Sequence, residues 1–416
     1  MSNRILITNI LHKDKRTNIL IEGKRFKDLN AAADTAAGIV IDGSKMAILP
    51  PFYNTHTHAA MTILRGYADD LALQEWLTEH IWPFEGTLTA EDIYLGTRLA
   101  ILEMIKSGTV FFNDMYFHID QVIKAVQEMG IRASIGVISL GNHPLDLGPD
   151  GDQRVRGWND PTGGRIMLTP APHAIYTVGA ERLIEVAALA RETGQCLHIH
   201  LSETATEVSD CMAAHGVSPV RYLDQLGVLG PNVIAAHVVH VDAEEINILK
   251  ERGVHIAHNP CSNMKLSSGI LPYQAMTDAG LKMTLGTDGC SSNNNLDMRE
   301  EMKMAALLAK ISTGNPTCLP AQEIFRWATV NGAMAFGIDA GIIAEGKLAD
   351  ALLIRLDDAS MTPCHNLISN WVYSANSACI DTVICDGNII MRDHKVKDED
   401  EIINAVNERL KVKMQK

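Results

Sequence analysis

The chain has 416 residues, 46% hydrophobic and 21% charged, with a formal net charge of −14. That length suits one large α/β domain with a smaller companion, and the acidic balance argues against a nucleic-acid partner. No stretch nears the ~18 apolar residues of a membrane helix. Eight cysteines without a Cys-x-x-Cys pair read as reduced thiols, so a cytoplasmic protein that binds no membrane is expected.

The N-terminal residues read as short strands, 4–10, 18–22 and 38–41, before an Asp42-Gly43 turn. Eight strand-like runs follow, at 46–53, 109–113, 132–137, 165–170, 196–201, 233–238, 253–257 and 282–286. Helical patterns such as 90–106, 121–129, 180–192, 243–252 and 299–311 alternate with them. This alternation predicts a (β/α)8 TIM-type barrel over 48–345. An open doubly wound sheet is the alternative, but the sequence has no Gly-x-Gly-x-x-Gly after the first strand and no phosphate loop. Short strands return at 350–355, 382–385 and 388–392, the last two flanking Asp386-Gly387, and 399–416 reads as an amphipathic helix. The two ends, 1–47 and 346–416, are expected to pair into one small β-sandwich domain.

Unusual polar residues gather at the carboxyl ends of these strands, where barrels build active sites. The first strand runs into Asn54-Thr55-His56-Thr57-His58, and the fourth ends at His173. The fifth carries His198-Ile199-His200-Leu201-Ser202-Glu203, the sixth ends at His237, and the eighth leads to Asp288. His56 and His58 are two apart and face the same side of a strand, as two ligands of one ion must. His200, nearer the mouth than His198, is the better ligand of that pair. Asp288 alone could cap the next helix; with four other strand ends it completes a set suited to zinc, iron or manganese. The fourth strand offers no lysine to bridge two ions, so one metal is expected. No Gly-x-Ser-x-Gly elbow supports a serine hydrolase.

The motifs Asn54 to Met61, Leu64-Arg65-Gly66-Tyr67-Ala68-Asp69-Asp70, Ile81-Trp82-Pro83-Phe84-Glu85, His198 to Thr204, Ala236 to His240, His258 to Leu266 and Gly286-Thr287-Asp288-Gly289 resemble the amidohydrolase superfamily. Within it the chain is similar to the branch of methylthioadenosine/S-adenosylhomocysteine deaminases and triazine chlorohydrolases. The resemblance covers nearly the whole chain. It implies that His56, His58, His200 and Asp288 hold one divalent ion, zinc in most such deaminases, with Fe2+ or Mn2+ as alternatives. It also implies that Glu203 and His237 work beside the ion and that Glu85 and His173 touch a small heterocyclic substrate, Glu85 at ribose hydroxyls. A helix-start carboxylate is the other reading of Glu85, and His258 is expected to support rather than ligate. Pro50-Pro51-Phe52-Tyr53 departs from the Pro-Gly-Leu-Val-like stretch usual before the first motif.

The expected reaction is hydrolytic release of ammonia from an adenine-type ring. Asp288 would accept the proton of the attacking water, Glu203 would protonate the ring nitrogen, and His237 would orient the nucleophile. Alternatives are an amidohydrolase acting on a guanine, pterin or triazine ring, and a non-catalytic relative that kept only the scaffold. A homo-oligomer is left open. In the deaminases this chain resembles, an arginine after the third strand helps hold the carboxylate of S-adenosylhomocysteine. Residues 138–144 here contain none, and Asp146, Asp150 and Asp152 follow. A substrate without that carboxylate is therefore expected, unless Arg154 or Arg156 reaches the same place.

Overall fold

The computed structural model describes residues 4–71, 75–141 and 146–414; of the loop expected to meet the substrate's tail, 142–144 lie outside them. The architecture is mixed α/β with parallel sheets. Strands Phe52–His58, Thr109–Asp114, Arg132–Ser139 and Ile166–Pro172 lie side by side in chain order, and Leu197–Leu201, Val233–His237, His255–His258 and Lys282–Leu285 do the same in a second parallel sheet. Nearly every residue of these strands is buried, which is why they read as continuous apolar runs rather than alternating ones. After Lys282–Leu285 the chain returns to the first sheet. There Asp288 and Gly289 pair in parallel with Thr57 and His58.

Helices pack between and outside these strands. Ala90–Lys106 opens on a reciprocal capping box between Thr89 and Asp92, buries Ile93, Ala100, Ile101, Met104 and Ile105, and ends in Lys106. Among the described residues no helix is long and apolar enough to cross a membrane.

The expected first strand, 46–53, is corrected by the structure. Pro50 and Pro51 cannot donate to a ladder, and they divide it in two. Met46–Leu49 pairs antiparallel with Ala351–Arg355, while Phe52–His58 starts the parallel sheet. Met46–Leu49 belongs to a nine-stranded mixed sheet drawn from both chain ends. In that sheet Ile380–Cys385 and Asn388–Arg392 form the hairpin across Asp386-Gly387, both at positive φ. Two short strands of this sheet, Arg25–Asp28 and Lys395–Val396, were not legible beforehand.

The two unusual aromatics before the first motif pack against this mixed sheet and its flanking helix. Phe52 stacks on Trp371 at 6.1 Å. Tyr53 donates its hydroxyl to Asp350 at 2.7 Å. Asp350 also receives Arg132 Nε at 3.1 Å, and Arg132 Nη2 reaches Asp386 at 2.6 Å. This buried network joins the parallel strands to the mixed sheet, and removing one partner would leave an unpaired buried charge at a cost of about 3–5 kcal/mol.

Candidate active site

Four imidazoles and one carboxylate meet at the carboxyl ends of the parallel strands. His58 donates Nδ1–H to the Met115 carbonyl at 2.7 Å, and His200 donates Nδ1–H to the His173 carbonyl at 2.8 Å. Carbonyls only accept, so these bonds set both tautomers and leave the Nε2 lone pairs inward. Those two Nε2 atoms are 3.3 Å apart. His56 Nε2 and His58 Nε2 each lie 3.3 Å from Asp288 Oδ1, and His56 Nε2 is buried without hydrogen-bond geometry to any partner. Lone pairs so placed require a proton or a cation among them. The ligand atoms of His56, His58 and Asp288 lie within 4.8 Å of one another, as do those of His56, His200 and His237. The donor set therefore fits a divalent ion.

The electrostatics agree with that fit. Burial raises the Asp288 carboxyl, but His56 and His58 more than reverse this and hold it well below its usual range. Burial lowers His58, yet the Asp288 carboxylate and the Met115 carbonyl carry it up to about 9. Burial pulls His56 down to about 4 and His200 well below normal. The positive charge that balances the buried Asp288 carboxylate thus falls on His58, while His56 and His200 resist protonation, and a divalent ion bound by these groups would take the place of that proton.

The strand ends are strained. Ser202, His237, Val238 and Asp288 all have positive φ, between 50° and 71°. Such conformations cost about 1–3 kcal/mol each in non-glycine residues and cluster at functional sites. Gly286 is required for a different reason: a Cβ there would stand 2.8 Å from the His56 backbone nitrogen.

Above the cluster lies a cavity of about 450 Å³, lined by His58, Glu85, His173, His200, Glu203, His237 and Asp288 among others. Glu203 sits on its wall, Oε2 3.8 Å from His237 Nε2 and Oε1 accepting from Ser268 Oγ at 3.2 Å. Glu85 accepts the Tyr116 hydroxyl at 2.5 Å, and burial raises its carboxyl. Burial and the neighbouring rings lower His173 to about 3, which keeps it neutral. His198 lies beneath, its Nε2 2.8 Å from His56 Nδ1, and His258 turns to the Tyr273 hydroxyl at 2.7 Å.

Much of the remaining wall is apolar, including Trp76, Leu77, Ile81, Trp82, Phe117, Ile138 and Leu140, and Tyr116, Tyr176, Thr177, Ser291 and Ser292 add neutral hydroxyl-bearing side chains. Among the described residues no lysine or arginine lines it, and the sequence has none at 72–74 or 142–145. Arg154 is paired with Asp120 and Arg156 with Glu192. Asp152 is neutralised by Arg182.

Comparison with known proteins settles the lineage. Residues 47–390 match the amidohydrolase family. The chain belongs to this family. Over 388 residues this amidohydrolase is 47% identical to a 5'-deoxyadenosine deaminase of Methanothermobacter thermautotrophicus, covering 92% of this chain and 91% of that one. It is 46% identical to a 5-methylthioadenosine/S-adenosylhomocysteine deaminase of Archaeoglobus fulgidus, covering 94% of each. The crystal structure of a zinc-bound adenosine deaminase from Xanthomonas campestris superposes with a TM-score of 0.91 at 32% identity, covering 99% of this chain and 98% of that one. A triazine hydrolase shares the fold at 23% identity, with a TM-score of 0.90 and coverage of 97% and 99%. The amidohydrolase is a hydrolase acting on carbon–nitrogen bonds.

Several of its supporting residues were not foreseen. Asp288 Oδ2 accepts from Ser262 Oγ at 2.6 Å and Ser292 Oγ at 2.8 Å, while Oδ1 accepts the Gly289 amide at 2.8 Å and faces the cluster. His237 Nδ1 meets Asn263 Oδ1 at 2.8 Å. Glu301, fully buried and pushed up to about 8 by desolvation, holds Asn293 and the Cys261 amide behind the Asp288 loop. Ser262 and Asn263 lie in the His258 to Leu266 string, but only the folded chain shows what they touch.

Proposed function

We propose that this amidohydrolase removes ammonia from the adenine ring of a 5'-substituted or 5'-deoxy nucleoside. The observation that carries the reading is the meeting of His56, His58, His200 and Asp288 at the floor of a nucleoside-sized cavity with Glu203 on its wall, in a chain 47% identical to a 5'-deoxyadenosine deaminase. The scaffold is read as a (β/α)8 barrel over 48–345 whose halves are the two parallel sheets. The seams support this: His200 donates its amide to the His173 carbonyl at 3.0 Å, and Thr55 donates its hydroxyl to the Leu285 carbonyl at 2.8 Å. The chain ends, 1–47 and 346–416, form the companion β-domain, with Met46–Leu49 as its last N-terminal strand. All eight cysteines are free, which suits the cytoplasm.

His56, His58, His200 and Asp288 are the metal ligands, and one zinc ion suits their nitrogen and carboxylate donors; Fe2+ or Mn2+ would fit the same set. A bound ion of this kind lowers the pKa of its water from about 15.7 to about 7, so that a hydroxide nucleophile is available at neutral pH. Asp288, its Oδ2 fixed by two serine hydroxyls, takes up the proton released by the attacking water and passes it to the amino group, which leaves as ammonia when the C–N bond breaks. Glu203 protonates the ring nitrogen beside the amino-bearing carbon, so that negative charge does not build there. His237, its Nδ1 bonded to Asn263, presents Nε2 to orient the nucleophile. His173, neutral, faces the base, and Glu85, held by Tyr116, accepts from the ribose hydroxyls.

The uncharged upper wall, free of lysine and arginine, selects a neutral 5' group. A charge-assisted hydrogen bond is worth about 1.5–3 kcal/mol, roughly 10- to 150-fold in affinity, and the described wall offers no basic partner for a carboxylate. Values of kcat/KM on one preparation should favour 5'-deoxyadenosine and methylthioadenosine over S-adenosylhomocysteine by at least about tenfold. A tenfold preference for S-adenosylhomocysteine would show that the carboxylate is still read.

A further inference from the structure

We infer that Glu207 is a positioning residue for the proton donor: its buried carboxylate sets the turn that aims Glu203 at the substrate. The inference rests on the proton role proposed for Glu203. Thr204-Ala205-Thr206-Glu207 has the spacing of a helix capping box, in which the glutamate returns to the backbone N–H of the cap residue. Two other helices of this chain have that arrangement. Asp92 accepts from the Thr89 amide, and Glu245 from the Asp242 amide, each at 2.8 Å. At Ala205–His215 only half of the box is made: Thr204 Oγ1 accepts from the Glu207 amide at 3.1 Å.

The Glu207 carboxylate goes elsewhere. Oε1 accepts the Ser202 amide at 2.9 Å and Oε2 the Glu203 amide at 2.7 Å. Those are the two peptide units where the fifth strand ends, and Ser202 is in the left-handed region, at φ 50°. The Ser202 carbonyl also accepts the Val239 and His240 amides, at 3.0 and 2.9 Å, which ties this turn to the strand end bearing His237. Glu207 is 8% exposed. Both of its buried oxygens are satisfied by the two converging amides of this turn. With the turn held, the Glu203 side chain extends along the cavity wall between Ser268 and His237.

The test is a double-mutant comparison on the metal-loaded full chain with 5'-deoxyadenosine. Glu207→Gln keeps the volume, but its amide nitrogen would face one of the two N–H groups. It should lower kcat at least about tenfold, with KM within about threefold and metal content unchanged. In a Glu203→Gln background, where no proton donor remains to be aimed, the same change should cost less than about threefold, because the two residues act in one path. Thr204→Ala, which removes the helix cap but not the carboxylate bonds, should lower Tm and leave kcat alone. Should Glu207→Gln not fold, Glu207→Asp, one methylene short, is compared in the same two backgrounds. Wild-type kcat for the Glu207 variant, or an equal penalty in both backgrounds, would overturn the inference. A Glu203→Gln protein with full activity would instead overturn the proton role beneath it.

Discussion

Glu203→Gln should leave the fold and the metal content intact and lower kcat by roughly 10²–10⁴, the usual worth of a general acid. The amide keeps the volume and can still accept from Ser268, which stands 3.2 Å from Oε1, so stability should change little. KM should move less than kcat, because the lost interaction is made with a ring nitrogen that gains its proton only as the reaction proceeds. Rates measured with saturating nucleoside, alongside metal analysis of the same sample, separate this outcome from ligand loss. Near wild-type turnover would remove Glu203 from the proton path.

Stripping the metal should have the larger effect. A chelator should take turnover below detection, and about one equivalent of zinc per chain should restore it. Asp288→Asn should lose both ion and activity, because the variant removes the buried charge that the ion would neutralise, at the group whose Oδ1 lies 3.3 Å from both His56 and His58. Two equivalents of ion in each active site would contradict the single-ion reading. The fourth strand, Ile166–Pro172, carries no lysine that could bridge a second ion.

Strand ends made much of this site legible beforehand. His56 and His58 share a face by the period of two, His237 closes a run of buried apolar residues, and His200 and Asp288 stand near or just past the ends of their strands, where a polar side chain stands out. What supports them was not legible. The bonds that set the His58 and His200 tautomers go to main-chain carbonyls of Met115 and His173, and a carbonyl leaves no trace in residue identity. Glu207 carried the pattern of an ordinary helix cap, and only the direction of its carboxylate shows otherwise. The proline pair at 50 and 51 was visible, yet the apolar run on both sides outweighed it and fused two strands of different sheets into one. Arg154 and Arg156 were open candidates for the substrate's carboxylate until their partners Asp120 and Glu192 were located.

The central claim is the reaction itself, and product stoichiometry tests it most directly. The zinc-loaded protein should convert 5'-deoxyadenosine to 5'-deoxyinosine with one ammonia per nucleoside, and the chelated protein should release none. No ammonia from any adenine nucleoside, with turnover of a guanine, pterin or triazine ring by the same sample, would contradict the account.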